Sequence, residues 1–264
     1  MKSSKTSITA LMPVRNGEKF LPIILETILA SLEIQDELLI INDGSTDHTS
    51  NILESWVEKH RQIRVINSTG TGLVKALNLG IRETSNNWIA RYDVDDRYPS
   101  YRLAEQRKFI KEDIAAIFCD YSLWSPKMNS IGVLPNAVQK SAVTVSLSKS
   151  RRTPHPGVLF NRNLALSAGG YLEQDFPAED LSLWLRLSRF GDLIGVPKLL
   201  LDYRVSKTST LGMRRKSAVN KAIELHKNYP IPISDINFCL DNWEEIFLQY
   251  TRLPYSDCLL YTSD

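Results

Sequence analysis

The 264-residue chain predicts an α/β protein built on a doubly wound, mostly parallel sheet with a short helical extension at its C-terminal end. Short apolar runs alternate with stretches of helical periodicity as far as Cys119. One run, Glu37–Ile41 (ELLII), is apolar almost throughout, as a strand covered on both faces requires. Polar, turn-forming residues come just after the strands, where an open parallel sheet binds its ligands.

Ile8–Met12 reads as the first strand, stopped by Pro13. Glu18–Ser31 then places Phe20, Ile23, Ile24, Thr27 and Ile28 at helical spacing. The strand Glu37–Ile41 ends at Asn42-Asp43-Gly44-Ser45, a turn signal that also offers helix caps. A helix over His48–Lys59 and a strand over Ile63–Asn67 follow. Gly70–Gly72 opens a helix to about Glu83 with Leu73, Ala76, Leu77 and Ile81 on one face. Trp88–Tyr92 is the fourth strand and runs into Asp93-Val94-Asp95-Asp96. Pro99 is placed for the first turn of a helix reaching Glu112, and Ile114–Cys119 is a further strand. Beyond it we expect a hairpin within Tyr121–Leu134, a polar stretch over Ala137–Ser150, a strand at Gly157–Phe160, a helix over Glu179–Phe190 and a strand at Leu199–Val205. From Gly212 the chain turns helical and basic.

Composition narrows the function. Hydrophobic residues at 43% and charged residues at 23% are ordinary for a soluble globular chain. A net charge of +2 gives no reason to expect nucleic acid as a partner. Two basic clusters, Arg151-Arg152 and Arg214-Arg215-Lys216, suit phosphates or an anionic membrane surface as well as plain solvation. Cys119, Cys239 and Cys258 have no CxxC spacing, which speaks for a reducing compartment and against a disulfide scaffold. The N-terminus lacks an apolar signal-peptide core, and Leu21–Ile34 is too short and too acidic to span a bilayer, so a cytoplasmic location is expected, with peripheral contact at the inner membrane face through the basic clusters. The last seven residues, Cys258–Asp264 (CLLYTSD), resemble a translated sequencing adapter and are set apart from fold reasoning.

Three carboxylates within four residues, Asp93, Asp95 and Asp96, repel one another unless a cation neutralises them. A hard divalent ion that also holds phosphate oxygens would do so. A solvated acidic turn capping the next helix would account for the same residues. The wider pattern favours the former. The segments LMPVRNGEKFL, INDGSTD, GLVKALNLG, WIARYDVDD, His155-Pro156-Gly157, Gly169-Gly170-Tyr171, Ala178-Glu179-Asp180 with LSLWLRL, and LLLDYRVSKTST occur in one order between Ser7 and Thr210. Together they closely resemble family 2 glycosyltransferases of the GT-A fold.

The resemblance implies a domain over residues 1–210, with a nucleotide-sugar half (1–120) and an acceptor half (121–210), then a helical extension over 211–257. It implies an enzyme that moves one sugar, with inversion, from a nucleotide diphosphate donor, a UDP-sugar, to a glycan or lipid-linked hydroxyl in bacterial surface-polysaccharide synthesis. Pro13, Arg15, Asp43, Lys75, Asp93 and Asp95 would bind the donor. Asp95 and Asp96, with His155 as a further candidate, would hold Mn²⁺ or Mg²⁺. Asp180 would be the general base and Glu179 would help bind the acceptor. Each has a plainer role as well: Asp43 capping the following helix, Lys75 on a solvated face, and Glu179 and Asp180 as first-turn acids favoured by the helix dipole. Arg15 and Asn42 depart from the family pattern, which often has an aromatic residue and a second aspartate there. Two rivals follow. A sugar-phosphate nucleotidylyltransferase would carry a Gly-rich basic loop where this chain has PVRNGEKF. A catalytically inactive relative would serve as a binding or assembly subunit. Trp184, spaced with Leu181, Leu185 and Leu187, is expected in the core.

Overall fold

A computed structural model describes residues 6–125, 128–134, 154–204 and 210–229. Among them eight strands form one mixed sheet in the order β3-β2-β1-β4-β7-β5-β6, with β8 alongside β5. The strands are β1 (Ile8–Val14), β2 (Glu37–Asp43), β3 (Ile63–Ser68), β4 (Trp88–Arg91), β5 (Ile114–Ser125), β6 (Met128–Leu134), β7 (Leu159–Asn161) and β8 (Asp192–Arg204). The helices are α1 (Leu21–Ser31), α2 (Thr49–Lys59), α3 (Leu73–Glu83), α4 (Arg102–Arg107), α5 (Arg162–Ser167), α6 (Glu179–Leu187) and α7 (Thr210–Asn228).

The doubly wound prediction holds residue by residue. All seven residues of β1 are buried, so both faces are covered. Alternate residues of β1 and β2 divide between two cores, as the two-residue period of a strand demands. Ile8, Ala10, Met12, Leu38 and Ile40 pack with Leu21, Ile24, Leu25 and Ile28 of α1 and Leu103 of α4. Leu11, Leu39 and Ile41 pack on the opposite face with Val74, Leu77 and Ile81 of α3 and with Trp184 of α6.

The second half departs from a simple parallel continuation. β4 is flanked not by β5 but by β7, which runs antiparallel to both. The predicted strand at Gly157–Phe160 is therefore a short insertion that reverses direction in mid-sheet. β5 and β8 pair in parallel and, through β7, run the same way as β1–β4. The consequence decides where the site lies. The loops that leave β1, β2, β4, β5 and β8 and the segment that enters β7 all meet at one edge of the sheet.

Other boundaries shift. The first helix begins at Leu21 rather than Glu18, and α4 starts at Arg102, with Pro99 in the preceding turn instead of the helix. α6 ends at Leu187, β8 starts at Asp192 and not Leu199, and α5 was not foreseen. The expected hairpin is present, with Ser125 opposite Met128. Arg151-Arg152, Ala137–Ser150 and the C-terminal seven residues lie outside the described residues, as do the side chains of Arg214, Arg215 and Lys216 on α7. No helix among the described residues is long and apolar enough to cross a membrane.

Trp184 is the packing centre of the second core, fully buried with its ring 5.4 Å from Phe118 and 5.8 Å from Phe160, both edge-on. Trp184→Ala should cost about 3–5 kcal/mol, the usual toll of a large core cavity. Urea unfolding of the two proteins measures it, and a loss under about 1 kcal/mol would mean the pocket collapses around the gap.

Candidate active site

The floor of the site is made by two loops that complete each other's hydrogen bonds. Asn16 donates its N–H to Ser45 Oγ (3.0 Å), and its side-chain oxygen accepts the N–H of Thr46 (2.8 Å). Gly17 N–H donates to Thr49 Oγ1 (2.8 Å) and Glu18 N–H to Asp47 Oδ2 (3.2 Å). Asn16 sits at φ 55°, a left-handed conformation that asparagine tolerates better than most residues. Pro13 is buried in β1 opposite Ile41, and Arg15 is exposed above these loops.

Asp43, at the carboxyl end of β2, reaches across to the β3–α3 loop. Its carboxylate accepts the N–H groups of Thr71 (2.8 Å) and Gly72 (2.8 Å) and the hydroxyls of Ser68 and Thr71. Burial pushes this carboxyl up, but the bonds from Ser68, Thr71 and Gly72 outweigh it and hold the group below the ordinary aspartate value. The capping expected of Asp43 on the helix after β2 is made by Asp47 instead, which accepts Thr49 N–H (3.0 Å). Gly44 explains how the loops approach so closely. At φ 66° an added Cβ would stand 2.7 Å from Gly70 N. Asn42 donates to Ser50 and Asn67.

Arg91 is the centre of the site and was not singled out from the sequence. Its side chain is 1% exposed, with Nη2 paired to Asp93 Oδ1 at 2.6 Å and Nη1 donating to the Tyr92 carbonyl. Its positive charge is felt by Asp96, Glu179, Asp180 and His155. A cation at a strand end otherwise written in apolar residues was the available signal, since a buried charge must be matched.

Arg204, at the end of β8, is the second unforeseen cation. Its Nη1 meets Asp95 Oδ2 at 3.1 Å, and its backbone N–H donates to Asp96 Oδ1 at 2.7 Å. Asp96 is 6% exposed. Burial and then the charge of Asp93 raise both Asp95 and Asp96, Asp96 strongly. Tyr98 bridges this stretch internally, accepting Asp93 N–H at 2.8 Å with its hydroxyl 3.5 Å from Asp96 Oδ2.

Glu179 and Asp180 open α6 and face the same cluster, for the charge of Asp93 reaches both. Burial, then the charge of Asp180, raises Glu179 to about 8. Burial raises Asp180 to about 6, opposed by the N–H of Leu181 (2.7 Å) and by Arg91. Glu179 Oε2 is buried without a hydrogen-bond partner among the described residues. The two acids are thus adjacent and both raised, with Glu179 buried and Asp180 half-buried.

The remaining candidates are placed less directly. His155 is held by Tyr171, with Nε2 2.9 Å from the hydroxyl, and burial and then Arg91 push its pKa well down, so it is a neutral imidazole. Lys75 lies half-exposed on α3, 3.4 Å from Glu173. No three His, Cys, Asp or Glu side chains among the described residues are grouped so as to hold a metal ion. The donor chemistry nevertheless fits a hard cation. Asp95 and Asp96 offer two neighbouring carboxylates whose mutual charge Arg204 balances only in part, and Mg²⁺ typically takes one or two carboxylates plus substrate phosphates.

Comparison with known proteins agrees with this geometry. The family model described as glycosyl transferase family 2 matches residues 9–146. A glycosyltransferase of Haemophilus influenzae is 25% identical over 83% of this chain and 81% of its own length. An Escherichia coli protein named UDP-Gal:alpha-D-GlcNAc-diphosphoundecaprenol beta-1,3-galactosyltransferase is 24% identical over 83% of this chain and 80% of its own. A Rickettsia felis glycosyltransferase is 28% identical over 76% of this chain, which spans only 33% of that relative. Among solved structures, S. aureus TarS with UDP-GlcNAc superposes at TM-score 0.67 with 15% identity, covering 86% of this chain and 68% of that one. A Pyrobaculum calidifontis mannosyltransferase with GDP-Man and Mn²⁺ superposes at 0.65 with 18% identity, covering 82% and 63%. These likenesses establish the fold as GT-A.

Glu179 generates a stability prediction with a definite sign. Its folded pKa lies above the ordinary 4.5, so the shift costs nothing below that pH, destabilises progressively as pH rises from 4.5 toward about 8, and levels off above it. Glu179→Gln should match the parent near pH 4.5 and exceed it by roughly 1–3 kcal/mol at about pH 9. Urea unfolding at both pH values measures the difference, and parallel stability curves would contradict a buried, proton-bearing Glu179.

Proposed function

The chain belongs to glycosyl transferase family 2, and on that premise we propose that it is an inverting transferase of one sugar from a UDP-sugar to a hydroxyl of a glycan or lipid-linked acceptor. The carrying observation is the pair Glu179 and Asp180, unequal in acidity and held within the field of the same buried Arg91 that fixes Asp93. Pairs of carboxyls whose surroundings push their pKa values apart mark acid and base roles.

The residues take roles as follows. The loops after β1 and β2 form the base pocket, with Pro13 in its wall and Arg15 at its mouth. Asp43 presents a carboxylate to the N–H edge of a uracil-like ring. Its Oδ2 accepts one backbone N–H, which leaves acceptor capacity for a second donor. Asp93, fixed by Arg91, faces the ribose. Lys75 supplies positive charge at the rim. Asp95 and Asp96 would hold Mn²⁺ or Mg²⁺, and that ion, when bound, neutralises the departing diphosphate. Arg204 already balances part of this charge at Asp95.

Asp180 takes the proton of the acceptor hydroxyl as it attacks the anomeric carbon, and a single displacement inverts that centre. Glu179, which keeps its proton at neutral pH, donates a hydrogen bond to the acceptor. Relatives support the donor class: one is named for UDP-Gal transfer, and one structural neighbour carries UDP-GlcNAc. A surface-polysaccharide setting at the inner membrane face, with α7 supplying basic contacts, completes the proposal.

Three outcomes follow. Asp180→Asn should lower turnover by about 10²–10⁴-fold while UDP binding persists. The kcat/KM profile should fall on the acid side with a midpoint near 6, since Asp180 must be unprotonated to act. Asp96→Asn should abolish the Mn²⁺ dependence of UDP binding seen by calorimetry. Equal UDP affinity with and without metal in the unaltered protein would remove the metal role from Asp95 and Asp96.

A further inference from the structure

One cation beside the carboxylates is fixed in place with no acid to hold it. Arg97 directly follows Asp96, is exposed, and lies over the Trp124 ring with Cζ 3.9 Å from the ring centroid. No carboxylate among the described residues pairs with its guanidinium. The platform beneath it is built from both sides. Arg97 and Asp202 exchange backbone hydrogen bonds (3.1 and 2.9 Å), and Trp124 donates its indole N–H to the Asp202 carbonyl (3.0 Å). The Asp202 carboxylate is engaged elsewhere, by the Ser122 hydroxyl.

An exposed arginine ordinarily keeps its rotamer freedom unless a partner holds it. Here the aromatic face and the β-bridge hold the guanidinium, while its N–H edge has no hydrogen-bond partner among the described residues. The position is equally specific. Trp124 lies opposite Arg204 in the β5–β8 pairing, so the platform stands at the same sheet edge as Asp95 and Asp96. Its ring and its bridge partner come from β5 and β8 rather than from the loops after β1 and β2. Arg204, the neighbouring cation, is occupied by Asp95, whereas Arg97 is not.

We propose that Arg97 and Trp124 form an anion subsite for the acceptor, and that the acceptor carries a phosphate next to the sugar that receives the transfer. This deepens the glycosyltransferase reading and rests on it for the identity of the site. The guanidinium fork matches phosphate oxygens in pairs, and the indole rim offers a flat surface to the adjoining sugar ring. A donor diphosphate is the other source of the same chemistry, and the test separates the two.

Glucose 1-phosphate and N-acetylglucosamine 1-phosphate are titrated by calorimetry against their uncharged methyl glycosides, into the full chain with and without UDP and Mg²⁺. The expected result is a preference for the phosphate form of roughly ten- to a hundredfold, the value of hydrogen bonds to a charged group. Arg97→Gln should erase the preference and leave UDP affinity unchanged, and Arg97→Lys should restore part of it. Thermal melts check that each variant is folded. The proposal is overturned if the unaltered protein shows no preference, if the preference survives Arg97→Gln, or if Arg97→Gln weakens UDP instead, which would assign the cation to the donor. Absence of any UDP binding would defeat the donor reading separately, while the titrations without UDP still decide the role of Arg97.

Discussion

A guanidinium that is 1% exposed sets the terms for the rest of this site. Taking Arg91 out of water costs several kcal/mol, and the loss is recovered only if opposite charge and hydrogen-bond acceptors surround it. The structure supplies them from separate parts of the chain: Asp93 and the Tyr92 carbonyl from its own strand end, and the acids of α6 from almost ninety residues later. The cation in turn offsets the negative charge that Asp93, Asp96 and Asp180 bring around it. Removing Arg91 would therefore not delete one contact; it would leave a group of carboxyls in low dielectric without their shared buried cation.

The arrangement depends on the direction of one three-residue strand. Because β7 runs against β4 and β5, the segment carrying His155 enters the sheet at the edge where β4 and β8 end. His155 then reaches Tyr171, and the backbone of Tyr171 is held from both sides by the Asn78 amide of α3 (2.7 and 2.9 Å). α3 is thereby tied to the segment that leads into Glu179 and Asp180. Secondary contacts of this kind hold the side chains of a functional site in a fixed geometry.

How much of this was legible in the sequence follows from the range of each interaction. β1 to β4 with their helices were readable because apolar periodicity is local and reports burial directly. Asp93, Asp95 and Asp96 were readable because like charges at such spacing demand a reason. The antiparallel β7 was not, since three apolar residues carry no sign of direction. Pro99 suggested a helix start, but the chain first makes a turn and α4 begins three residues later. The capping role that aspartate's short-range habit offers for Asp43, beside its donor-binding one, points to the wrong partners, since Thr71 and Gly72 lie 28 and 29 residues away. Arg91 and Arg204 were passed over for the same reason. A buried ion pair is a property of the assembled edge, not of either segment alone.

The acids at the start of α6 show where local and functional explanations part. Carboxylates in a first helical turn are ordinary, because the exposed N–H groups and the dipole favour negative charge there. A carboxylate that served only in this way would have its pKa lowered. Both acids here are raised, and Glu179 leaves one oxygen buried and unpaired. Helix position therefore does not explain them. Their burial opposes folding at neutral pH, and the helix terminus with Arg91 offsets that cost more for Asp180 than for Glu179. What results is a pair of raised acids beside one buried cation at the head of α6, an arrangement that the first-turn preference alone does not produce.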